Sequence, residues 1–459
     1  MLKSSLTISV AVLALASCAS IPSFDPDGRV RAGAVPDAPT SWAMAQGRVG
    51  DVEVGWIASF EDPVLIALVN EAQANNRNLQ AAAANVDRSR ALAQQAGAAL
   101  TPNVSLAAGS NEIGNIEGGG SRSEYSAGLQ VSWELDLWGR IRSGKQAAVA
   151  SAEAAEADYL FTQYSVAAGV ARAYFVAIEA GLQEQVAQDT VNALTETARI
   201  VNVQYENGLA SSQDLALTRS DLATAQDTLT ATAGAKRDAV RALEVLLGRY
   251  PGAELKLRTS LPTPPAAPPA GVPSEVLERR PDLIAAERNV AAAFNSLNSA
   301  KAARLPAVSL TSTLGGASSS LSDLLDPTNV AWTAASNLVA PLIDGGARQA
   351  QVDVSTADQK AAVAAYAQAA LSAFSEVETN LDQGTVLDAR LKSLTEAASE
   401  ANEAYRIATL RYNEGETDLI DVLTIQQRVF STQSNLTSVQ RSLLQQRVDL
   451  NLALGGDWR

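Results

Sequence analysis

The stretch RIVNVQYENGLASSQDLALTRSDLATAQDTL, beginning at Arg199, returns as RIATLRYNEGETDLIDVLTIQQRVFSTQSNL at Arg406. Tyr205 answers Tyr412, Gly208 answers Gly415, Asp214 answers Asp421 and Gly248 answers Gly455, all 207 residues apart. Upstream, LQAAAANVDRSRALAQQAGAALTPNVSL from Leu79 matches LIAAERNVAAAFNSLNSAKAARLPAVSL from Leu283 at an offset of 204. Offsets that stay constant on either side of one short region mark duplication of a long unit, not a short-period solenoid. Whatever this chain folds into, it builds it twice.

Each copy carries a helical seam. Leu387, Leu391, Leu394, Ala398, Ala401, Tyr405, Ala408 and Tyr412 alternate spacings of four and three, the period of a coiled coil. Ala180, Glu184, Ala187, Val191, Leu194, Ala198, Val201 and Tyr205 repeat those steps with one polar break. After the glycine the pattern resumes through Val422, Ile425, Val429, Thr432, Leu436, Val439 and Leu443. Gly208 and Gly415 each interrupt the pattern where a left-handed C-terminal cap would sit. Ser211 with Asp214 resembles a capping box that starts the return helix. Residues 139–206 and 346–413 contain no proline, which allows helices on the order of 100 Å at ~1.5 Å per residue. Ala, Ser, Thr and Gln dominate them, so the seams are thin, and the pattern fits a single curved layer better than a bundle around a thick core.

Between the helices the period changes to two. In YSAGLQVSWEL, Tyr125, Ala127, Leu129, Val131, Trp133 and Leu135 alternate with small or polar residues. Eleven residues is the length of a tilted membrane strand. NVSLAAGS from Asn103 precedes it across a glycine-rich loop; the second copy offers AVSLTSTLGG from Ala307 and VAWTAASNLVAPL from Val330. Four strands cannot close a barrel, and open edges do not survive in lipid. Either the hairpins decorate a soluble protein or several chains pool their strands. Three chains would supply twelve, and pooling is the favoured reading.

The N-terminus has the marks of export. Lys3 precedes an apolar run from Leu6 to Ala16, the charged start and short core of a signal peptide. Ala16 and Ser17 precede Cys18, the single cysteine of the chain. Leu-Ala-Ser-Cys resembles a bacterial lipobox, in which the cysteine becomes the lipidated first residue. Ala19 follows it, which favours outer-membrane sorting. No later stretch is read as a transmembrane helix. One cysteine excludes an internal disulfide, and the absence of histidine excludes imidazole metal sites and His-based triads. A net charge of −15 opposes nucleic-acid binding. Neither cofactor nor metal is expected. The acid pairs Asp418 with Asp421 and Glu376 with Glu378 read as solvated helix faces, and no catalytic constellation is found.

These residues resemble the TolC-like outer-membrane efflux proteins, and specifically their NodT-type lipoprotein branch. The most specific stretch is LPTPPAAPPAGVPSEVLERRPDLIAAE, 261–287, supported by ELDLWGRIR at 134–142, APLIDGGARQAQV at 340–352 and ALGGDW at 453–458. The resemblance implies a mainly α fold with membrane β: a homotrimer with a twelve-stranded outer-membrane barrel above a periplasmic α-barrel. It implies a passive exit duct that meets a periplasmic adaptor and an inner-membrane RND-type pump. The division that follows is a signal peptide at 1–17, a lipidated tether at 18–60, a first repeat at 61–248, a proline-rich equatorial linker at 249–275 and a second repeat at 276–459. The β-hairpins fall at about 103–135 and 307–342, and the long helical hairpins at 139–248 and 346–455.

Carried over residue by residue, the resemblance puts lipid on Cys18 and a periplasmic gate at Asp421, Asp214 and Tyr412. It puts adaptor-contacting tips at Gly208, Leu209 and Gly415, and a membrane aromatic girdle at Tyr125, Trp133 and Trp332. In the resembled family a ring acid and a polar lock close the tip; here Thr424 stands where a second acid would lie and Thr417 where an arginine would. Two rival readings remain: a duct for type I protein secretion, and a periplasmic coiled-coil spacer lipoprotein, which leaves the alternation at 125–135 unexplained.

Overall fold

The structure, a computed structural model, describes residues 39–44, 55–114, 121–324 and 326–458. The first copy comprises α1 (Pro63–Asn75), α2 (Arg77–Ala98), β1 (Asn103–Ile113), β2 (Arg122–Leu135), α3 (Arg140–Glu206) and α4 (Ser212–Leu246). The second comprises α5 (Pro273–Arg279), α6 (Pro281–Ala302), β3 (Ala307–Ser318), β4 (Val330–Val339), α7 (Ala347–Asn413) and α8 (Leu419–Ala453). Duplication is visible in the lengths. α2 and α6 have 22 residues each, α3 and α7 have 67, and α4 and α8 have 35.

The seam residues are the ones that bury. Leu387, Ala398, Ala401, Ala408, Val422, Leu436, Val439 and Leu443 are all buried, while Tyr205 at the end of the first seam is 44% exposed. Gly208 and Gly415 take φ of 74° and 77°, the left-handed region that an L side chain occupies only at a cost. The reverse turns between α3 and α4, and between α7 and α8, therefore fall where the pattern breaks.

Contacts divide the chain into two compact units, each drawing on both copies. One holds 84–157 and 285–369 and contains the whole sheet. Here Asp136 accepts the backbone N–H groups of Ile141 and Arg142, Glu134 pairs with Arg140, and Trp138 donates to the Pro306 carbonyl. The ELDLWGRIR motif is thus the device that turns a strand into the start of α3.

The other unit holds 37–83, 158–284 and 370–459. Its core gathers Trp56, Phe60, Leu65, Val170, Tyr174, Phe175, Leu243 and Leu444. A buried carboxylate, Asp62, organises the edge of that core. It accepts from the Val64 and Leu65 N–H groups at the start of α1, from the Tyr174 hydroxyl at 2.9 Å and from Arg258 at 3.0 Å. Burial and that bond to Asp62 push the Tyr174 phenol well above its usual range. In the RRPDL motif a buried cation does the same: Arg280 grips Asp282, Glu376 and the Ala453 carbonyl.

Two expectations from the sequence change here. α3 contains a window long and apolar enough, by length and composition, to cross a membrane, where no later span was expected. Half of that window is buried, and the stretch 166–178 of α3 lies inside the core, so core packing accounts for apolar residues there. The acids Glu376 and Glu378 are not merely solvated: one pairs with Arg280, the other accepts the Ala43 and Met44 N–H groups.

Candidate membrane sheet and helical tip

The strands form one antiparallel sheet in the order β1-β2-β3-β4. Residues directly opposite one another share a face, so the register sorts the side chains. Leu106, Leu129, Leu314 and Trp332 are consecutive partners, as are Val104, Val131, Ser312 and Ala334. Tyr125, Trp133, Leu135, Val308, Leu310 and Leu338 join that face. The opposite face carries Asn103, Ser105, Gln130, Ser132, Thr311, Thr313, Asn337 and Thr333.

Most of the apolar face is open, and the turn at Leu324 and Asn329 lies only against Gly316 near the far end of β3. Leu106 is 76% exposed, Trp332 75% and Leu129 46%. On the polar face, Thr313 and Thr333 share a hydrogen bond at 2.6 Å. An exposed apolar face that large marks an interaction or membrane surface. Trp133 lies at the helical end of β2, where its indole N–H donates to the Leu100 carbonyl at 3.1 Å. Tyr125 lies eight residues away on the same face, opposite Ser110 and Ser318. Cys18 lies outside the described residues.

At the tip, Ser211 and Asp214 complete a capping box. The Ser211 hydroxyl and backbone N–H together hold the Asp214 carboxyl below the usual carboxylate range. The equivalent position in the second copy, Asp418, makes no side-chain cap bond. There Thr417 donates its hydroxyl to Asp421 at 2.7 Å, so a neutral donor occupies the place of the expected arginine. Thr424 donates back to the Ile420 carbonyl within its own helix. Tyr412 donates to Gln204 at 2.9 Å, and the hydrogen bonds found at the Asp214 carboxylate come from Ser211. The structure therefore does not join Tyr412 to Asp214.

Val201, Leu215 and Leu419 form a small buried cluster beneath these bonds, with Ala210, Tyr412 and Leu423 against it. Leu209 is 79% exposed beside Gly208. Gln204 was missed at the sequence level. Nothing in its spacing marks it, since its equivalent in the second copy is Arg411.

A duplicated, mostly helical chain with one four-stranded antiparallel sheet has the architecture of a TolC-like channel subunit. Comparison with known proteins agrees. A family model described as outer membrane efflux protein matches residues 68–249 and 272–456, once per copy. The antibiotic efflux pump outer membrane protein ArpC of Pseudomonas putida is 31% identical over 467 residues, covering 100% of this chain and 96% of that one. The pyoverdine export outer membrane protein OpmQ of Pseudomonas putida is 31% identical over 419 residues, 88% of each. The solved structure of the outer-membrane channel OprN superposes with a TM-score of 0.86 at 29% identity, over 96% of this chain and 100% of that one. The chain belongs to the outer membrane efflux protein family. It is an outer-membrane exit duct, in a class of channels that are not enzymes.

Proposed function

We propose that three copies pool their strands into a closed twelve-stranded barrel in the outer membrane, with the long helices extending into the periplasm. The observation that carries this is the sheet: one apolar face largely exposed, and β1 and β4 each with one edge unpaired among the described residues. Such edges are admissible in lipid only if another copy closes them. The polar face then lines a water-filled lumen. Trp332, Tyr125 and Trp133 supply the aromatic girdle. With strands tilted by about 35–45° and about 4.8 Å apart, each step along a register row changes depth by roughly 3 Å. Trp332, three strands along from Leu106, thus sits roughly 9 Å from it in depth.

The duct serves a tripartite pump, receiving small molecules through a periplasmic adaptor and an inner-membrane RND-type pump. Support comes from relatives named for antibiotic efflux and pyoverdine export. Cys18 carries the lipid of a NodT-type lipoprotein, with the signal peptide at 1–17, the tether at 18–60 and the proline-rich linker at 249–275 between the two repeats. The tips at Gly208, Leu209 and Gly415 meet the adaptor, and Asp421, Asp214 and Tyr412 belong to the gate. Asp421 rings the lumen, while Tyr412 acts through Gln204 to hold α7 and α8 against α3. Affinity capture of the tagged chain from solubilised envelopes tests the assignment. An RND-type pump with its adaptor is the expected company; an ATP-driven secretion partner in their place favours protein export.

A further inference from the structure

The bonds between α3 and α8 are unevenly distributed. Near the end of α8, Arg172 pairs with Asp449 at 2.6 Å. The Glu179 carboxylate then accepts from Arg441 at 2.7 Å and from the Ser438 hydroxyl at 2.6 Å. Gln183 and Ser434 exchange a pair of bonds, 2.7 Å from the serine hydroxyl and 3.1 Å to its carbonyl. Arg447, buried, fixes the same part of α8 to Asp388 of α7 and to the Pro265 carbonyl of the linker.

From Ser431 to Ile420 this zip stops. Among the described residues no hydrogen bond or ion pair joins that length of α8 to α3 or α4. In its place lies a cavity of about 730 Å³ between the three helices, bordered by Val186, Leu194, Leu217, Thr228, Leu423 and Phe430. At the tip a buried cluster of Val201, Leu215 and Leu419 and the Tyr412–Gln204 bond join the helices again. The free length of α8 keeps its bond to α7, where Gln426 donates to the Tyr405 hydroxyl at 3.3 Å.

We propose that Gln183 and Ser434 form the joint on which the α7–α8 tip turns, and that Gln204 is the residue that latches it. This rests on the tip being the gate. A length zipped by charged and polar rungs resists separation from α3. A length facing an open cavity has no such bonds to break, and one small cluster with one hydrogen bond holds its end. The fifteen residue steps from Leu419 to Ser434 make a lever of roughly 23 Å at ~1.5 Å per step. Gln183 and Ser434 act as positioning residues, fixing where bending starts without lining the constriction.

The test uses the full-length purified channel in planar bilayers. Gln204→Ala removes the latch bond and is expected to raise basal conductance roughly two- to tenfold, the population shift that losing one net hydrogen bond gives. In that background, Val201→Cys with Leu419→Cys is bridged by a short bis-methanethiosulfonate, which joins the two thiols through reducible disulfides, with Ala210→Cys and Leu423→Cys as a second tip pair. Gln183→Cys with Ser434→Cys is bridged likewise, and mass spectrometry measures each cross-link. The tip bridges should return conductance to the unmutated level, and reductant should raise it again. The Gln183–Ser434 bridge should leave conductance raised. If that bridge also closes the channel, the turning point lies above Ser434 and the joint is refuted. If the tip bridges form and conductance stays high, the tip does not move and the joint is refuted. If Gln204→Ala leaves conductance unchanged, the gate reading fails and the joint with it.

Discussion

Leu129 and Gln130 are neighbours in β2 whose side chains leave opposite faces of the sheet. If the apolar face meets lipid, Leu129→Lys costs roughly 2–4 kcal/mol at the midplane, and Gln130→Lys, facing the lumen, costs little. Urea titration of refolding into vesicles measures both, and equal costs contradict the assignment. Glu244 offers a second residue-scale test. Its carboxylate is buried and accepts from the Ala253, Glu254 and Leu255 N–H groups at 2.7, 2.8 and 3.1 Å. Burial alone would raise its pKa, but those three donors and Arg249 outweigh it and hold the group below its ordinary value. A folded pKa below the unfolded value of about 4.3 means stabilisation is present above that pH and lost as pH falls through the folded value. Glu244→Gln should therefore flatten the fall in stability below about pH 4.3, and an unchanged acid limb would refute the role.

At the scale of elements, most boundaries were legible and most tertiary bonds were not. The proline-free runs 139–206 and 346–413 became α3 and α7 within a residue of either end. The alternation of 125–135 became β2, extended back to Arg122. Both signals are local, written in period and in the absence of a breaker. The capping box at Ser211 was readable for the same reason, and its loss at Asp418 was not, because Thr417 supplies a different donor. Asp62 carries one local cue, an acid ahead of Pro63 at a helix start. Its partners Tyr174 and Arg258 lie 112 and 196 residues away, a distance no spacing rule spans. Gly208 and Gly415 give the prediction at this scale. Neither has an atom within 4 Å of an added Cβ, so substitution meets only the backbone penalty. Gly208→Ala and Gly415→Ala should each cost roughly 1–2 kcal/mol, measured by local hydrogen exchange at the tip. Unchanged exchange would show that the turns do not depend on glycine.

For the whole molecule, duplication supplies two hairpins and two long helical pairs per chain, and the proposed pooled barrel would close the sheet's open edges. The lipid proposed on Cys18 would be a secondary anchor, because many lipid-facing side chains outweigh a few acyl chains. Cys18→Ser should abolish lipid labelling and disturb processing, while the protein still inserts. Intact mass of the mature protein checks this, and an unmodified N-terminus at another residue would refute the lipobox. Closure of the proposed barrel requires three chains. Native mass spectrometry of the detergent-purified protein should show one species of three chains that falls to single chains on boiling. A folded species of one, two or four chains would contradict it.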